Sequence, residues 1–423
     1  MRRPSSRFGG RQSANGLILP SMREILRTGR AVLIAAQVLW LAVSLYQSAI
    51  TLLGQRRRPR TTKVATPRFG LIICARNEAN VIEGVLADLS VQTYPAALTD
   101  VLVVAHNCRD GTAAVARRRG STVLELETDL PGKSQVILAG LAHMRKAYDF
   151  VGVLDADSRV PFTFLEQVAA ASPDEDCLQV ETMPRVDGDW LSAGYGFGRK
   201  SRNVFWWRPR EELGLGTTLS GSGFFARPEL LARVLRGTRT LTEDLESTAL
   251  LAAEGVRVRY VGETYVEVGE PHELADSLRQ RSRWARGHLG VVRHLWPRVA
   301  RQALRGDMGA LDTAIFLLVP TRVLTRTAVT GAFVLSAARL PGALPLAPIG
   351  LALAGEWLLP AVIAVRARLL PLSIGGAQLA LRHGILSLLW FPVGAWALIT
   401  AADRRWDESA RSKNGTADAI EAR

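Results

Sequence analysis

The sequence predicts an α/β domain with a mostly parallel sheet, flanked by membrane-spanning helices. Between residues 66 and 270, short apolar runs alternate with helical patterns, as in a parallel sheet covered on both faces. Long uncharged segments on either side have the length of membrane spans. With 48% hydrophobic and 22% charged residues over 423 positions, the chain can bury a sizeable core, which excludes a disordered protein.

Five apolar runs are predicted to be strands: residues 69–74, 100–105, 122–126, 150–154 and 177–183. Helices are predicted between them at 81–89, 113–119 and 136–144, with Pro161 in the first turn of another. The Ser220-Gly-Ser-Gly223 segment predicts a tight turn entering a strand at Phe224, or else a wall close to a substrate. Since ligands of parallel sheets lie at the carboxyl ends of the strands, we expect the functional residues there.

The predicted membrane segments lie at both ends of the chain. Residues 31–54 carry no charge and, as a helix, exceed the roughly 30 Å of bilayer hydrocarbon, so they are predicted to span the membrane after a basic segment, 1–30. Residues 310–402 are apolar again and predict two to four further spans before a polar tail, 403–423. Charged side chains in that region either reach the headgroups or line a cavity inside the bundle; they are Arg322, Arg326, Glu356, Arg366 and Arg382.

The net charge of +14 makes nucleic acid, anionic lipid and phosphorylated substrates candidate partners. No nucleic-acid recognition motif is evident, so we expect a lipid bilayer and phosphorylated small molecules instead. Three cysteines, Cys74, Cys108 and Cys177, do not form a disulfide scaffold and indicate a reducing compartment. Arginines crowd both sides of the first predicted span, so the positive-inside rule does not orient it.

Two acidic segments are candidates for chemistry. Asp155-Ala-Asp157 follows the predicted strand 150–154, and because side chains alternate along a strand, both carboxylates can point to one side. They could share a hard divalent ion with a diphosphate, although such a segment is also a common turn or cap. Glu243 and Asp244 precede a helical pattern and offer a general base, or else Glu243 forms a capping box with Thr240.

Gln280, Arg283 and Trp284 share one face of a predicted helix. Arg283 could grip a diphosphate, and Trp284 offers a flat apolar surface for a sugar ring. Residues 271–300 are also predicted to form an amphipathic interfacial helix. One helix can both bind substrate and lie at the membrane interface. Its apolar stripe comprises Leu274, Leu278, Ala285, Leu289, Val292 and Trp296. Separately, Lys133 opens a helix, where a phosphate is favoured.

Taken together, these elements resemble the family 2 glycosyltransferases, in particular the membrane-embedded branch with cellulose, chitin and hyaluronan synthases and ceramide glucosyltransferase. The matching segments occur in the family's order: Ala75-Arg-Asn-Glu78, Asn107-Cys-Arg-Asp-Gly-Thr112, Gly132-Lys133, Asp155-Ala-Asp157, Thr242-Glu-Asp244 and Gln280-Arg-Ser-Arg-Trp284. The resemblance covers roughly residues 66 to 300. It implies a GT-A fold, which is the Rossmann-like fold of nucleotide-diphospho-sugar transferases, over residues 66–270.

The resemblance also implies roles for individual residues. The residues implied to bind the nucleotide-sugar are Arg76, Glu78, His106, Asp110, Lys133, Asp155 and Arg283. Of these, Glu78 would contact the ribose, and Lys133 and Arg283 would contact the diphosphate. Asp155 and Asp157 would hold Mg²⁺ or Mn²⁺. The catalytic set is Asp244 as the base, Glu243, Gln280, Arg283 and Trp284, with Trp284 near the acceptor. One departure is that Ala105-His106 stands where the family usually has one or two aspartates, so His106 is expected to hydrogen-bond the nucleotide base.

The activity implied is inverting transfer of a sugar from a nucleotide-diphospho-sugar, by preference a UDP-sugar, to a polysaccharide or lipid-linked acceptor, forming a β-linkage. The Gln280-to-Trp284 motif slightly favours a processive polymer synthase. The alternative is addition of one sugar to a lipid, because few spans are available to line a polymer channel. A catalytically silent partner of a synthase, which binds nucleotide-sugar, is a further hypothesis. The expected location is the bacterial inner membrane, multi-pass, with the catalytic domain in the cytoplasm.

Overall fold

The computed structural model describes residues 22–56, 65–128, 132–185, 189–240, 242–319, 321–369 and 373–400. A seven-stranded sheet lies at the centre of the sheet domain. Its strands are β1 (Phe69–Ala75), β2 (Thr99–His106), β3 (Thr122–Leu126), β4 (Phe150–Asp155), β5 (Cys177–Arg185), β6 (Phe224–Ala226) and β7 (Arg259–Gly269). The order is β3-β2-β1-β4-β6-β5-β7. Only β6 runs antiparallel to its neighbours, so the sheet is mostly parallel.

Helices cover both faces of this sheet. They are α2 (Ile82–Ser90), α3 (Thr112–Arg118), α4 (Lys133–His143), α5 (Phe164–Ala171), α6 (Trp190–Arg202), α7 (Arg208–Glu212), α8 (Pro228–Arg236) and α9 (Glu243–Ala253), with a π-helical segment, Asn203–Trp207, between α6 and α7. Successive strand residues enter different cores: Ile72 packs into one apolar cluster, and Leu71 and Ile73 pack into the other. Burial on both faces explains why central strands such as β1 and β4 form continuous apolar runs in the sequence.

Most strands of this sheet were predicted from the sequence. All five predicted strands are confirmed, each end lying within two residues of the predicted one, and β6 follows the turn predicted at Ser220. β7 was not predicted, because buried and partly exposed residues are mixed along this edge strand and break the apolar run. Pro161 does not open a helix. The Phe164 N–H donates to the Pro161 carbonyl (3.0 Å) in a preceding turn, and α5 begins at Phe164.

The remaining helices are α1 (Met22–Leu53), α10 (Leu274–Ala303), α11 (Met308–Leu318), α12 (Arg322–Ala337), α13 (Leu346–Arg366), α14 (Ile374–Leu388) and α15 (Trp390–Ile399). By length and composition, three segments among the described residues can cross a membrane: Leu26–Leu53, Leu346–Arg366 and Ile374–Ile399. α11 and α12 meet at a 72° bend and would together make a fourth. The start of the predicted basic segment, up to residue 21, and the tail 403–423 lie outside the described residues.

The buried face of α10 differs from the predicted stripe. Ser277, Gly287, Val291, Leu295 and Val299 are buried, and the Leu274 side chain is exposed. The difference arises because α10 packs against both α9 and α11, which turns the buried face toward protein. Of the predicted stripe, Val292 and Trp296 pack at the margin of this core.

Candidate active site

The carboxyl ends of β1, β2 and β4 lie side by side at one edge of the sheet. β1 is the central strand of the three, with Ala75 opposite Ala105 of β2 and Cys74 opposite Asp155 of β4. The predicted site residues that follow these strands therefore start from neighbouring backbone positions.

The loops after β1 and β2 are tied together through Asp110. Its carboxylate accepts hydrogen bonds from the N–H groups of Ala79 (3.1 Å) and Thr112 (3.0 Å) and from the Thr112 hydroxyl. That hydroxyl accepts in turn from the Glu78 N–H (2.9 Å). Asp110 thus fixes the backbone beside Glu78, and its carboxylate is engaged within the protein.

His106 ends β2 and is half-buried. Burial, together with the positive charges of Arg76 and Lys133, lowers the pKa of His106 to about 4. The imidazole is therefore neutral at pH 7, with one nitrogen able to donate and the other able to accept a hydrogen bond. This is the chemistry needed to contact a nucleotide base.

Lys133, the first residue of α4, connects two parts of the site. Its ammonium pairs with the Asp155 carboxylate and donates to the Gly221 carbonyl (2.6 Å). Burial disfavours this ammonium, but the charges of Asp155, Cys74 and Glu243 and the hydrogen bond to Asp155 together outweigh burial, so the pKa of Lys133 is raised. The turn before β6 closes against the end of β4, because the Asp155 N–H donates to the Ser222 hydroxyl (3.0 Å).

Glu243 and Asp244 begin α9 on the other side of this turn. An Oδ2 atom of Asp244 lies 3.6 Å from the position that a β-carbon on Gly221 would take. Burial, and then repulsion from Asp244, raises the pKa of Glu243 to about 7; burial also raises the pKa of Asp244. The positive charges of Lys133 and Arg283 oppose both shifts, so two acids and two cations form one electrostatic cluster.

The capping box considered for Glu243 does not form. Thr242 is the N-cap residue and makes no side-chain capping bond. A Glu246 carboxylate oxygen instead accepts from the N–H groups of Arg239 and Thr240, each at 2.7 Å. Capping therefore does not occupy the Glu243 carboxylate, which remains in the site.

Gly287, which sequence reasoning missed, brings α10 close to the acidic pair. A β-carbon at Gly287 would lie 2.5 Å from Thr242 Oγ1, so only glycine allows this approach. Arg283 lies one turn earlier on α10, within electrostatic range of Glu243 and Asp244. Gln280 and Trp284 share its face and are half-buried. The sequence did contain a signal for Gly287, because glycine inside a helix costs about 1 kcal/mol of helix stability and so suggests a packing reason.

The Asp155 and Asp157 pair fits a divalent ion that is shared with substrate, although it is no preformed cage. No three His, Cys, Asp or Glu side chains converge on a common point within the described ranges. Mg²⁺ typically takes one or two carboxylates and completes its shell with water and substrate phosphate. Asp155 is the last residue of β4 and Asp157 lies two residues further on, and both are partly exposed, as such shared binding requires.

Residues 67–287, more than half of the chain, match the family model described as glycosyltransferase like family 2. The chain belongs to this family of glycosyltransferases. Its sheet domain has the expected GT-A-like fold.

Two known proteins illustrate the relationship. The chain is 29% identical over 268 residues to the β-monoglucosyldiacylglycerol synthase of Synechocystis sp., which covers 60% of this chain and 55% of that protein. The match thus spans little more than half the length of that relative. The solved mannosyltransferase PcManGT from Pyrobaculum calidifontis, in complex with GDP-Man and Mn²⁺, shares the fold with a TM-score of 0.53 and 20% identity, over 90% of this chain and 99% of that one.

Proposed function

We propose that this protein is an inverting glycosyltransferase that moves one sugar from a nucleotide-diphospho-sugar to a hydroxyl of a membrane lipid, forming a β-linkage. The observation that carries the proposal is the cluster of Lys133, Asp155, Glu243, Asp244 and Arg283 at the carboxyl edge of the sheet. It brings phosphate-binding cations beside a carboxylate that can take a proton. Family membership and apolar helices of membrane-spanning length support a membrane-bound transferase.

The donor side of the site would use the groups nearest the strand ends. The diphosphate lies against Lys133 and Arg283, whose charges complement it. Neutral His106 hydrogen-bonds the nucleotide base, with Arg76 beside it, and Glu78 contacts the ribose. Asp110 acts indirectly by holding the Glu78 loop. A UDP-sugar is the first donor to test.

Asp155 and Asp157 would hold the divalent ion, Mg²⁺ or Mn²⁺. When bound, this ion supplies electrostatic stabilisation of the departing diphosphate. Arg283 gives the same kind of stabilisation from α10.

On the acceptor side, Asp244 takes the proton from the lipid hydroxyl as its oxygen attacks the anomeric carbon. The new carbon–oxygen bond forms on the face opposite the diphosphate while the bond to the diphosphate breaks, so the configuration inverts. Glu243 places a second acid next to the base and tunes its proton affinity. Trp284 and Gln280, on the α10 face that carries Arg283, line the acceptor position.

A lipid acceptor is preferred to a growing polymer for two reasons. The curated relative is by name a glycolipid synthase, and the described residues contain only three or four candidate spans with which to line a polymer channel. The Gln280-to-Trp284 motif favours the second candidate, a polysaccharide synthase. Incubation of membranes with radiolabelled UDP-glucose and sizing of the product separates the two, because a lipid carrying a single sugar excludes processive synthesis.

The base assignment is tested with Asp244→Asn. Transfer is expected to fall by about two orders of magnitude or more, because the carboxylate assigned to take the proton is lost, while nucleotide binding persists. The matched control is Glu229→Gln at an exposed acid on α8, which should keep full activity. Normal turnover in Asp244→Asn would contradict the mechanism. Wild-type protein that binds nucleotide but never releases it from a sugar donor would support a silent partner instead.

We also propose that the sheet domain faces the cytoplasm at the bacterial inner membrane, where nucleotide-sugars are made. Protease treatment of sealed vesicles tests this placement. Inside-out vesicles should lose the sheet domain, and right-side-out vesicles should keep it.

A further inference from the structure

Three charged residues of the apolar region meet between helices, with side chains that are 0% (Glu356), 14% (Arg322) and 27% (Arg326) exposed. Glu356 of α13 is fully buried and its carboxylate accepts a hydrogen bond from Ser44 of α1 (2.8 Å). Arg322 and Arg326 of α12 place their Nε atoms 3.6 and 3.7 Å from the Glu356 Oε2 atom. Of the two alternatives left open by the sequence, interior placement thus holds for these three, whereas Arg366 is exposed.

Several polar atoms at this place lack a hydrogen-bond partner. All three guanidinium nitrogens of Arg322 are buried without one among the residues that the structure describes, and so is the Glu356 Oε2 atom. Gln47, one turn from Ser44 on α1, is 1% exposed, and both of its side-chain amide atoms are likewise unpartnered. Buried polar groups are nearly always satisfied, and in an apolar bundle the cost of leaving them unpaired is high. A polar group from outside the chain would complete the site.

The net charge of Arg322, Arg326 and Glu356 determines whether the missing ligand should be anionic or cationic. Two guanidinium groups face one carboxylate, which leaves one positive charge uncompensated in an apolar region. Arg322 is also the first residue of α12, and helix N-termini favour anions. The Arg322 side chain at this helix end is 14% exposed, and α12 lies at 72° to α11. In membrane proteins the N-termini of broken helices bind anionic groups. Phosphate matches the forked donors of arginine.

The end of α11 packs on α10, the helix that carries Arg283 and Trp284. A ring nitrogen of His288, one turn beyond Trp284 on α10, is 2.7 Å from the Leu317 carbonyl near the end of α11. Only four residues separate Leu317 from Arg322. A ligand at Arg322 would therefore hold the junction that packs on the active-site helix.

We propose that Arg322 and Arg326, together with the N-terminus of α12, bind the phosphate group of an anionic membrane lipid. The site lies outside the residues assigned to donor, metal and acceptor, so it is a further binding site. The lipid stabilises the α11–α12 junction by supplying the missing acceptors. Glu356 keeps the net charge of the site low, so that it binds a single anionic headgroup.

The test compares lipids of different charge on the purified full-length protein. Thermal unfolding is followed in nanodiscs of phosphatidylcholine alone and of phosphatidylcholine with phosphatidylglycerol. Phosphatidylglycerol is expected to raise the unfolding midpoint of the wild type. Arg322→Gln should lose this shift, and Arg366→Gln, at an exposed arginine of α13, should keep it. No shift in the wild type, or an equal shift in Arg322→Gln, overturns the proposal.

Two further measurements separate ligand binding from other roles of Arg322. In phosphatidylcholine alone, Arg322→Gln should unfold at the wild-type temperature or above, because its guanidinium nitrogens make no hydrogen bonds to the described chain. A lower midpoint there would indicate a structural ion pair with Glu356 and overturn the proposal. Inorganic phosphate should not reproduce the shift, and an equal shift would reassign the site to a soluble anion. None of these readouts depends on sugar transfer, so the outcome is independent of the proposed function.

Discussion

Glu243 and Asp244 are adjacent in the chain and close in space, so ionising both is costly. The pKa of Glu243 rises from its ordinary value of 4.5 to about 7. Between these two pH values the folded protein binds a proton that the unfolded chain releases. The contribution of this carboxyl to the free energy of unfolding is therefore favourable at low pH and declines as the pH rises through that window.

Glu243→Gln tests this coupling. Asp244 is already charged when Glu243 titrates near pH 7, because that charge helps to raise the pKa of Glu243. Loss of the Glu243 proton then adds a second negative charge beside the base, so the wild-type kcat/KM profile should change near pH 7 and the profile of the variant should not. The variant should also unfold at a higher temperature than the wild type at about pH 8, with the difference shrinking toward about pH 5. Glu229→Gln is the control. A change near pH 7 that persists in Glu243→Gln would show that Glu243 is not its source.

The residues of the candidate site were proposed from the sequence, but their pairings could not be. Lys133 was expected at a phosphate because it opens a helix. Its ion pair with Asp155 joins positions 22 residues apart and depends on how α4 packs over β1 and β2. Asp110 was expected to contact substrate, yet its carboxylate engages Ala79 and Thr112. Such hydrogen bonds depend on loop geometry, which residue type and spacing do not specify.

Among the helices, the close packing of α10 on α9 determines the position of Arg283. Gly287→Ala would improve the intrinsic helix propensity of α10 by about 1 kcal/mol. We nevertheless expect it to weaken donor binding and turnover, because the new β-carbon would lie 2.5 Å from Thr242 Oγ1 and push the helix away. Kinetics with varied donor concentration measure the effect.

Gly331→Ala in α12 is the matched control for this substitution, since a β-carbon there would meet no atom within 4 Å. It should leave activity unchanged and stability equal or slightly higher. Equal behaviour of the two alanine variants would mean that α10 can relax without moving Arg283.

The strands were predictable wherever both faces of the sheet are buried, because burial demands continuous apolar runs such as that of β1. β7 lacks this signal, since exposed and buried residues alternate irregularly along it. The antiparallel direction of β6 follows from packing between β4 and β5, and nothing in its three residues encodes that direction. Local composition therefore specifies the strands, and tertiary contacts specify their order.

For the whole molecule, one buried ion pair joins the sheet domain to the apolar helices. Arg210 of α7 and Asp312 of α11 are 1% and 5% exposed and form two hydrogen bonds, at 2.6 and 2.9 Å. The Arg210 guanidinium also stacks on Trp206, 3.3 Å from the ring centre. Loss of either partner would leave an uncompensated buried charge.

Arg210→Met is expected to lower the free energy of unfolding by about 3–5 kcal/mol. The double variant Arg210→Met/Asp312→Leu should recover much of this loss, because it removes both charges together. Thermal and denaturant unfolding of the two variants measure the coupling. Equal destabilisation in the single and double variants would show that the site depends on packing and not on charge pairing.

Asp312 also accepts a hydrogen bond from Tyr46 of α1 (2.9 Å), so a single carboxylate connects three parts of the chain. A rigid connection of this kind fixes the distance of Glu243 and Asp244 from the bilayer surface. Under the proposed function, an acceptor must present its hydroxyl at that height. We therefore expect the choice of acceptor to depend on the size of the headgroup and to be indifferent to the length and unsaturation of the acyl tails.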